Sequence, residues 1–110
     1  MKDPIITHSS IKDRIQLEEK YNFLANLTIG LVKGNDFYVK IEFTNLTLED
    51  YETLLKLSKL QKELKLESEL IDKEEYNITH IVLTDFSANN MLEMTWECLS
   101  DNPNFSLIID

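Results

Sequence analysis

The chain has 110 residues, with 11 Lys and Arg against 20 Asp and Glu, a formal charge of −9, 43% apolar residues and 28% charged ones. These figures describe one small globular domain over 1–110 and exclude a disordered chain or a two-domain one, since a chain of this size buries roughly two-thirds of the surface it exposes when unfolded. No stretch approaches the ~20 apolar residues that span a bilayer, and the N-terminal residues lack the apolar run of a signal peptide, so a cytoplasmic protein is expected.

Residues 11–24 are ambiguous. Ile11, Ile15, Tyr21 and Leu24 partly fit a helix, whereas residues 16–23 suit the start of a long strand; a short N-terminal helix is expected. Next comes a hairpin. Leu27, Ile29 and Leu31 alternate with Thr28, Gly30 and Val32, and Phe37, Val39, Ile41 and Phe43 alternate with Tyr38, Lys40 and Glu42. A three-residue Gly34-Asn35-Asp36 loop would set Leu31 against Val39, Ile29 against Ile41 and Leu27 against Phe43, with both apolar rows on one face. A two-residue turn would invert one row, because a slip of one residue exchanges the faces of a strand.

A helix follows, opened by Thr47 as N-cap, with Asp50 at its third position and Leu46 set to staple Tyr51. Leu48, Tyr51, Leu54, Leu55, Leu60 and Leu64 form its apolar face, widened by Leu57. Beyond it Leu64, Leu66, Ser68 and Leu70 alternate with Lys65, Glu67 and Glu69, so a strand or irregular segment is expected there. Three further strands are read at 78–84, 91–99 and 105–110, separated by Asp85-Phe86-Ser87-Ala88-Asn89-Asn90 and by Ser100-Asp101-Asn102-Pro103-Asn104. The elements together predict an α+β domain: an antiparallel sheet of about five strands, half-exposed, with one main helix over 48–64 packed on one face.

The chemistry-bearing residues are sparse. With two glycines in the chain no phosphate-cradling loop can be built, and CxxC, HExxH and GxSxG are absent, which excludes the common nucleotide, zinc and α/β-hydrolase enzymes. No calcium loop occurs, and no cofactor or metal is expected. Cys98, the single cysteine, lies in an alternating apolar run and reads as a buried thiol. The sequons at Asn26, Asn45 and Asn77 matter only to a secreted chain. An enzymatic or small-molecule site would have to be assembled from dispersed residues such as His80, Asp85, Trp96 and Cys98, and a Cys98–His80 pair would need their strands adjacent.

Charge is distributed unevenly. Residues 1–76 hold 15 acids and all 11 bases, whereas residues 77–110 hold Asp85, Glu93, Glu97, Asp101 and Asp110 with no Lys or Arg. A second acidic run comprises Glu63, Glu67, Glu69, Asp72, Glu74 and Glu75, with only Lys65 and Lys73 inside it, a pattern that serves a solvated surface or a binding site, while Glu49, Asp50 and Glu52 suit the positive end of the helix. Such surfaces repel nucleic acid and anionic lipid and speed association with basic proteins. Glu67, Glu69, Asp72, Glu74, Glu75, Asp85, Glu93 and Glu97 are therefore the candidate partner-binding residues, with no catalytic residue expected.

In size, acidity and layout the chain resembles the small acidic immunity proteins of bacterial contact-dependent growth inhibition and other polymorphic toxin systems. The likeness carries no diagnostic motif and transfers no residue. It implies an inhibitor, monomeric or weakly dimeric, that occludes the active or substrate-binding surface of a cognate basic toxin such as a nuclease. A phage-encoded mimic of nucleic acid that blocks a host defence enzyme would share the same composition. A structural subunit would instead use a free sheet edge at 105–109.

Overall fold

Alternation of apolar and polar side chains, the pattern of a strand with one dry face, extends through far more of the chain than the hairpin alone. The computed structural model describes residues 5–32, 36–60, 62–89 and 92–101. They form β1 (Ile5–Leu17), β2 (Tyr21–Val32), β3 (Asp36–Phe43), α1 (Leu48–Lys59), β4 (Leu64–Ser68), α2 (Glu69–Lys73), β5 (His80–Asn89) and β6 (Glu93–Asp101). The strands close into a barrel in the order β1-β2-β3-β6-β5-β4, with every neighbouring pair antiparallel.

The half-exposed α+β sheet expected from sequence is thereby corrected. A sheet wet on one face and a closed barrel have the same period-2 pattern, so alternation alone does not distinguish them. Here the dry face is the inside of the barrel. Leu27, Ile29, Val39, Ile41, Trp96 and Cys98 are fully enclosed there, with Phe23, Phe43 and Trp96 linked through edge-to-face contacts at centroid separations of 5.5 and 5.4 Å. The buried Trp96 Nε1–H donates to Met94 Sδ at 3.0 Å, a weak acceptor but the one within reach.

The expected N-terminal helix is two strands. Leu17 and Tyr21 are joined by a tight turn in which Glu18 and Glu19 both have positive φ, 55° and 56°, and Lys20 N–H donates to Leu17 O at 3.1 Å. Two glutamates in left-handed conformations are an unusual choice for such a turn, which normally takes Asn and Gly. Glu18 compensates by holding β4. Its backbone N–H donates to Lys65 O at 2.9 Å and its carboxylate accepts from Lys65 N–H at 2.8 Å. The Lys65 N–H, followed by the Lys62 ammonium at 3.4 Å, holds the Glu18 carboxyl below its ordinary pKa.

Bulges between Ile6 and His8 and between His8 and Ile11 break the period of β1. Ser10 takes a φ of 51° there, and its N–H donates to Thr28 Oγ1 at 3.0 Å. At Gly30 the start of β1 comes so close that a Cβ would stand 2.9 Å from the Ile5 carbonyl oxygen.

Between β2 and β3 the faces are as expected, but the pairs are Leu31 with Phe37, Ile29 with Val39 and Leu27 with Ile41. That register is two residues from the expected one and puts residues 33–35 in the connection. A shift of two keeps every side chain on its face, so the pattern did not specify it.

Thr47 caps α1 as expected, its Oγ1 accepting from Asp50 N–H at 3.0 Å, but the helix ends at Lys59 and not near 64. Leu54 and Leu57 are buried with the barrel interior, while Leu48 and Leu60, assigned to the same face from spacing, are 61% and 49% exposed. Helix α1 thus covers the end of the barrel where β3 finishes and β4 begins. The entry to it is tied by Leu46 N–H donating to Leu92 O at 3.3 Å.

Strand β4 is the alternating segment read at Leu64, Leu66 and Ser68, all buried. β5 continues through the expected 85–90 loop to Asn89, and β6 runs from Glu93. The strand expected at 105–110, and with it the sheet edge at 105–109, lies outside the described residues.

Asp13 is the one buried acid among the described residues. Its carboxylate accepts from Arg14 N–H at 2.8 Å and from Leu70 N–H at 2.9 Å, while Ser68 Oγ accepts from Ile71 N–H at 3.0 Å. Two of the backbone donors at the start of α2 are thus satisfied, one of them from β1. Asp13→Ala should cost about 1–3 kcal/mol in urea unfolding because it leaves the buried Leu70 N–H unpaired. The lowered pKa of Glu18 fixes a second expectation. A depressed carboxyl contributes stability that is complete above its unfolded pKa and is lost as the pH falls below about 4, so wild-type stability should decline more steeply in acid than that of Glu18→Gln. Parallel pH curves for the two proteins would contradict this role.

Candidate functional site

The barrel wall sorts the candidate residues into two groups. On the outside of β3, β6 and β5, the register aligns Lys40 with Glu97 and Glu97 with Asp85, and in the adjoining rows Glu42 with Thr95 and Asn89 with Glu93. Five carboxylates among the described side chains, Asp36, Glu42, Asp85, Glu93 and Glu97, share this outer wall. The lack of Lys and Arg in residues 77–110 does not leave Glu97 without a cation, since Lys40 stands directly across from it on a strand distant in sequence. The net charge of the patch is still strongly negative.

Tyr38, one pair further along, donates its hydroxyl to Glu97 Oε1 at 3.0 Å. Burial, reinforced by the Glu97 carboxylate, pushes the Tyr38 phenol up to about 12. Glu97 is therefore fixed in orientation, whereas Asp85 is exposed and bonds only locally, accepting from Phe86 N–H at 2.9 Å. Asn89 Nδ2 donates to Glu93 Oε1 at 3.2 Å at the far end of the hairpin.

Glu67, Glu69 and Asp72 form the second group, on β4 and α2. They line an open groove of about 550 Å³ with Arg14, Phe23 and Leu24. Arg14 is the only arginine of the chain. Glu74 and Glu75 follow α2 outside that groove, and both are exposed. Since β4 stands between β5 and β1 in the barrel, the two groups occupy different stretches of the wall.

Glu74 meets instead a chain of hydrogen bonds that sequence reading missed. Thr7 Oγ1 donates to Ile29 O at 2.9 Å, Tyr76 Oη donates to Thr7 Oγ1 at 3.0 Å, and His8 Nδ1 lies 2.7 Å from Tyr76 Oη. With the Tyr76 proton already committed, His8 must donate from Nδ1. Its Nε2 faces Glu74 Oε1 at 3.7 Å. Tyr76 also lies edge-on to Phe37 at 5.4 Å. The network ties the segment after α2 to β1, and only its spatial assembly, with residues 7–8 against 74–76, reveals it.

The dispersed residues of the enzymatic alternative do not converge. Trp96 and Cys98 point into the barrel and are fully buried, while His80 and Asp85 are exposed on its outside. Cys98 is paired with Leu83 and Val39 and His80 with Lys65. His80 Nδ1 lies 3.1 Å from Thr79 Oγ1 and 3.9 Å from Glu63 Oε1. Among the described residues, no three His, Cys, Asp or Glu side chains are placed to hold a metal ion, and no helix is long and apolar enough to cross a membrane.

Comparison with protein-family models, with curated proteins and with solved structures returned no match. The reading of the site therefore rests on its geometry. Burial, with a smaller effect of Glu97, pushes the Cys98 thiol up to about 12. Cys98 should be inert to a disulfide reagent in the native protein at neutral pH and react fully once guanidinium unfolds the barrel. Rapid reaction of the native thiol would place it outside the core.

Proposed function

We propose that the domain is a non-catalytic, acidic binding module that inhibits a basic protein by covering its cationic surface. The observation that carries this reading is the outer wall of β3, β6 and β5, where, among the described residues of these strands, Asp36, Glu42, Asp85, Glu93 and Glu97 stand with one lysine, Lys40. The acids are mounted on paired strands, so their spacing is preset and little ordering is needed when a partner docks. Their summed field accelerates encounter with a cationic partner and weakens with salt.

An immunity protein acting in the cytoplasm against a cognate toxin, such as a nuclease, is the specific form of this reading. Lys and Arg of the toxin that would otherwise contact nucleic-acid phosphates would pair with Glu93, Glu97 and Asp85, and the substrate would be excluded by occupancy. The Glu97–Tyr38 hydrogen bond supports a central place for Glu97 in the interface, because a carboxylate already held in position loses less entropy on pairing. Glu67, Glu69 and Asp72, beside Arg14, are assigned to a separate and less acidic surface.

The test is capture on the tagged chain of the adjacent gene's product and of basic proteins from the native cytosol, at low and then moderate salt. One basic protein should be retained, and charge reversal at Glu93 and Glu97 should release it. Truncating a central carboxylate should cost on the order of 2–5 kcal/mol of binding and a rim carboxylate much less. Retention of no basic protein even at low salt would leave the acidity serving solubility alone and would remove this reading.

A further inference from the structure

The groove on the outside of β1 is built from four elements. Arg14 and Gln16 stand on β1, across from Leu24 and Asn22 of β2, and on its other side Gln16 is paired with Glu67 of β4. Glu69 and Asp72 come from α2, where a spacing of three sets them on one side of the helix. The cavity of about 550 Å³ is of the size that takes a small ligand.

Its charges are held apart. Arg14 shares the cavity with three carboxylates, yet among the described residues it forms no ion pair with any of them. Glu67 lies 3.9 Å from the Lys65 ammonium, which Glu19 holds more closely, and among the described residues Glu69 and Asp72 have no ion pair. The neutral Gln16 and Asn22, by contrast, are joined, Nε2 donating to Oδ1 at 3.2 Å. Leu24, 51% exposed, adds an apolar surface directly beside Arg14. A guanidinium and carboxylates that line one cavity without neutralising each other keep their bonding capacity for a ligand that brings both charges. The three-to-one excess of acids favours a ligand richer in cation than in anion, and Leu24 favours an aliphatic stem between them.

We infer that the groove binds a basic α-amino acid unit, free or as the carboxyl-terminal residue of a peptide. Its carboxylate meets Arg14, its side-chain cation lies among Glu67, Glu69 and Asp72, and its stem covers Leu24. The planar guanidinium of Arg14 suits this role because it can donate two parallel hydrogen bonds to one carboxylate. A polyamine would set a cation against Arg14, and a neutral or acidic amino acid would leave the carboxylates without a partner, so the groove discriminates against both. The site uses no residue of the outer wall of β3, β6 and β5, and it stands or falls independently of the binding-module reading.

The probe is L-arginine, titrated to millimolar concentration into the full wild-type chain at low salt while the amide resonances are followed. It is compared with agmatine, which lacks the carboxylate, and with L-citrulline, in which a neutral urea replaces the guanidinium. Arginine should give saturable shifts confined to residues 14–16, 22–24 and 67–72, and each analogue should bind at least about fivefold more weakly. Arg14→Gln should weaken arginine by a similar factor without weakening agmatine, whereas Glu69→Gln combined with Asp72→Asn should weaken both. The peptide Gly-Gly-Arg and its carboxyl-terminal amide separate the two sources. Tight binding of the acid form alone would support a peptide end as the ligand, and binding of free arginine in preference to either would support the amino acid.

Agmatine binding as tightly as arginine would overturn the inference, since Arg14 would then hold no carboxylate. Shifts spread equally over Asp85, Glu93 and Glu97 would overturn it in favour of unselective attraction of cations. The absence of any saturable shift in the groove would overturn it outright. Because the three small molecules are compared on the wild-type protein, the outcome does not depend on a variant folding.

Discussion

Closure of the barrel depends on β4, a strand of five residues that bridges two much longer neighbours. It pairs with β1 over residues 66–68 and with β5 only at 64–65, while Leu64, Leu66 and Ser68 face the core. A closed barrel removes sheet edges only where the closing strand is as long as the seam. Here it is shorter, and among the described residues it pairs with only part of each neighbour. Helix α2 and the Thr7–His8–Tyr76 network cover β1 beyond β4. The hydrogen bonds of Glu18 with Lys65 and of Asp13 with α2 hold the short strand at its two ends.

The same closure determines where function can reside. The interior is occupied by Trp96, Phe37, Phe43 and a shell of aliphatic side chains, so the most polarisable and nucleophilic groups of the chain, Trp96 and Cys98, are enclosed with it. Chemistry is available on the outside of the wall. There β3, β6 and β5 carry carboxylates in fixed rows, and Asp85, Glu93 and Glu97, scattered in the linear sequence, come together on one surface. Lys40 tempers that surface without neutralising it.

Much of this was legible in the sequence. The rows of β2 and β3, the Thr47 cap and the burial of Cys98 follow from alternation and capping chemistry. Closure did not follow, because a barrel interior and the dry face of an open sheet produce one and the same pattern. β1 and β2 were obscured by a turn made from Glu18 and Glu19 with neither Gly nor Asn to mark it, and by two bulges that shift the phase of β1. The outer half of β5 reads as a loop because Asp85, Ser87 and Asn89 are poor strand formers, and its pairing with β6 makes it a strand. Of the candidate site, the acids were visible but their grouping was not. Lys40 lies 57 positions from Glu97 in sequence and one strand away in space.

Amide hydrogen exchange of the isolated domain at neutral pH tests the account most directly. Amides of β2 and β3, paired on both sides, should open only with global unfolding. Amides of β6, paired with β3 on one side and β5 on the other, should be protected to a similar degree, because that pairing fixes the spacing of the acidic wall. Exchange of the β6 amides nearly as fast as in an exposed loop would mean that Glu93 and Glu97 are not mounted on a paired strand, and the preset spacing on which the binding reading rests would be lost.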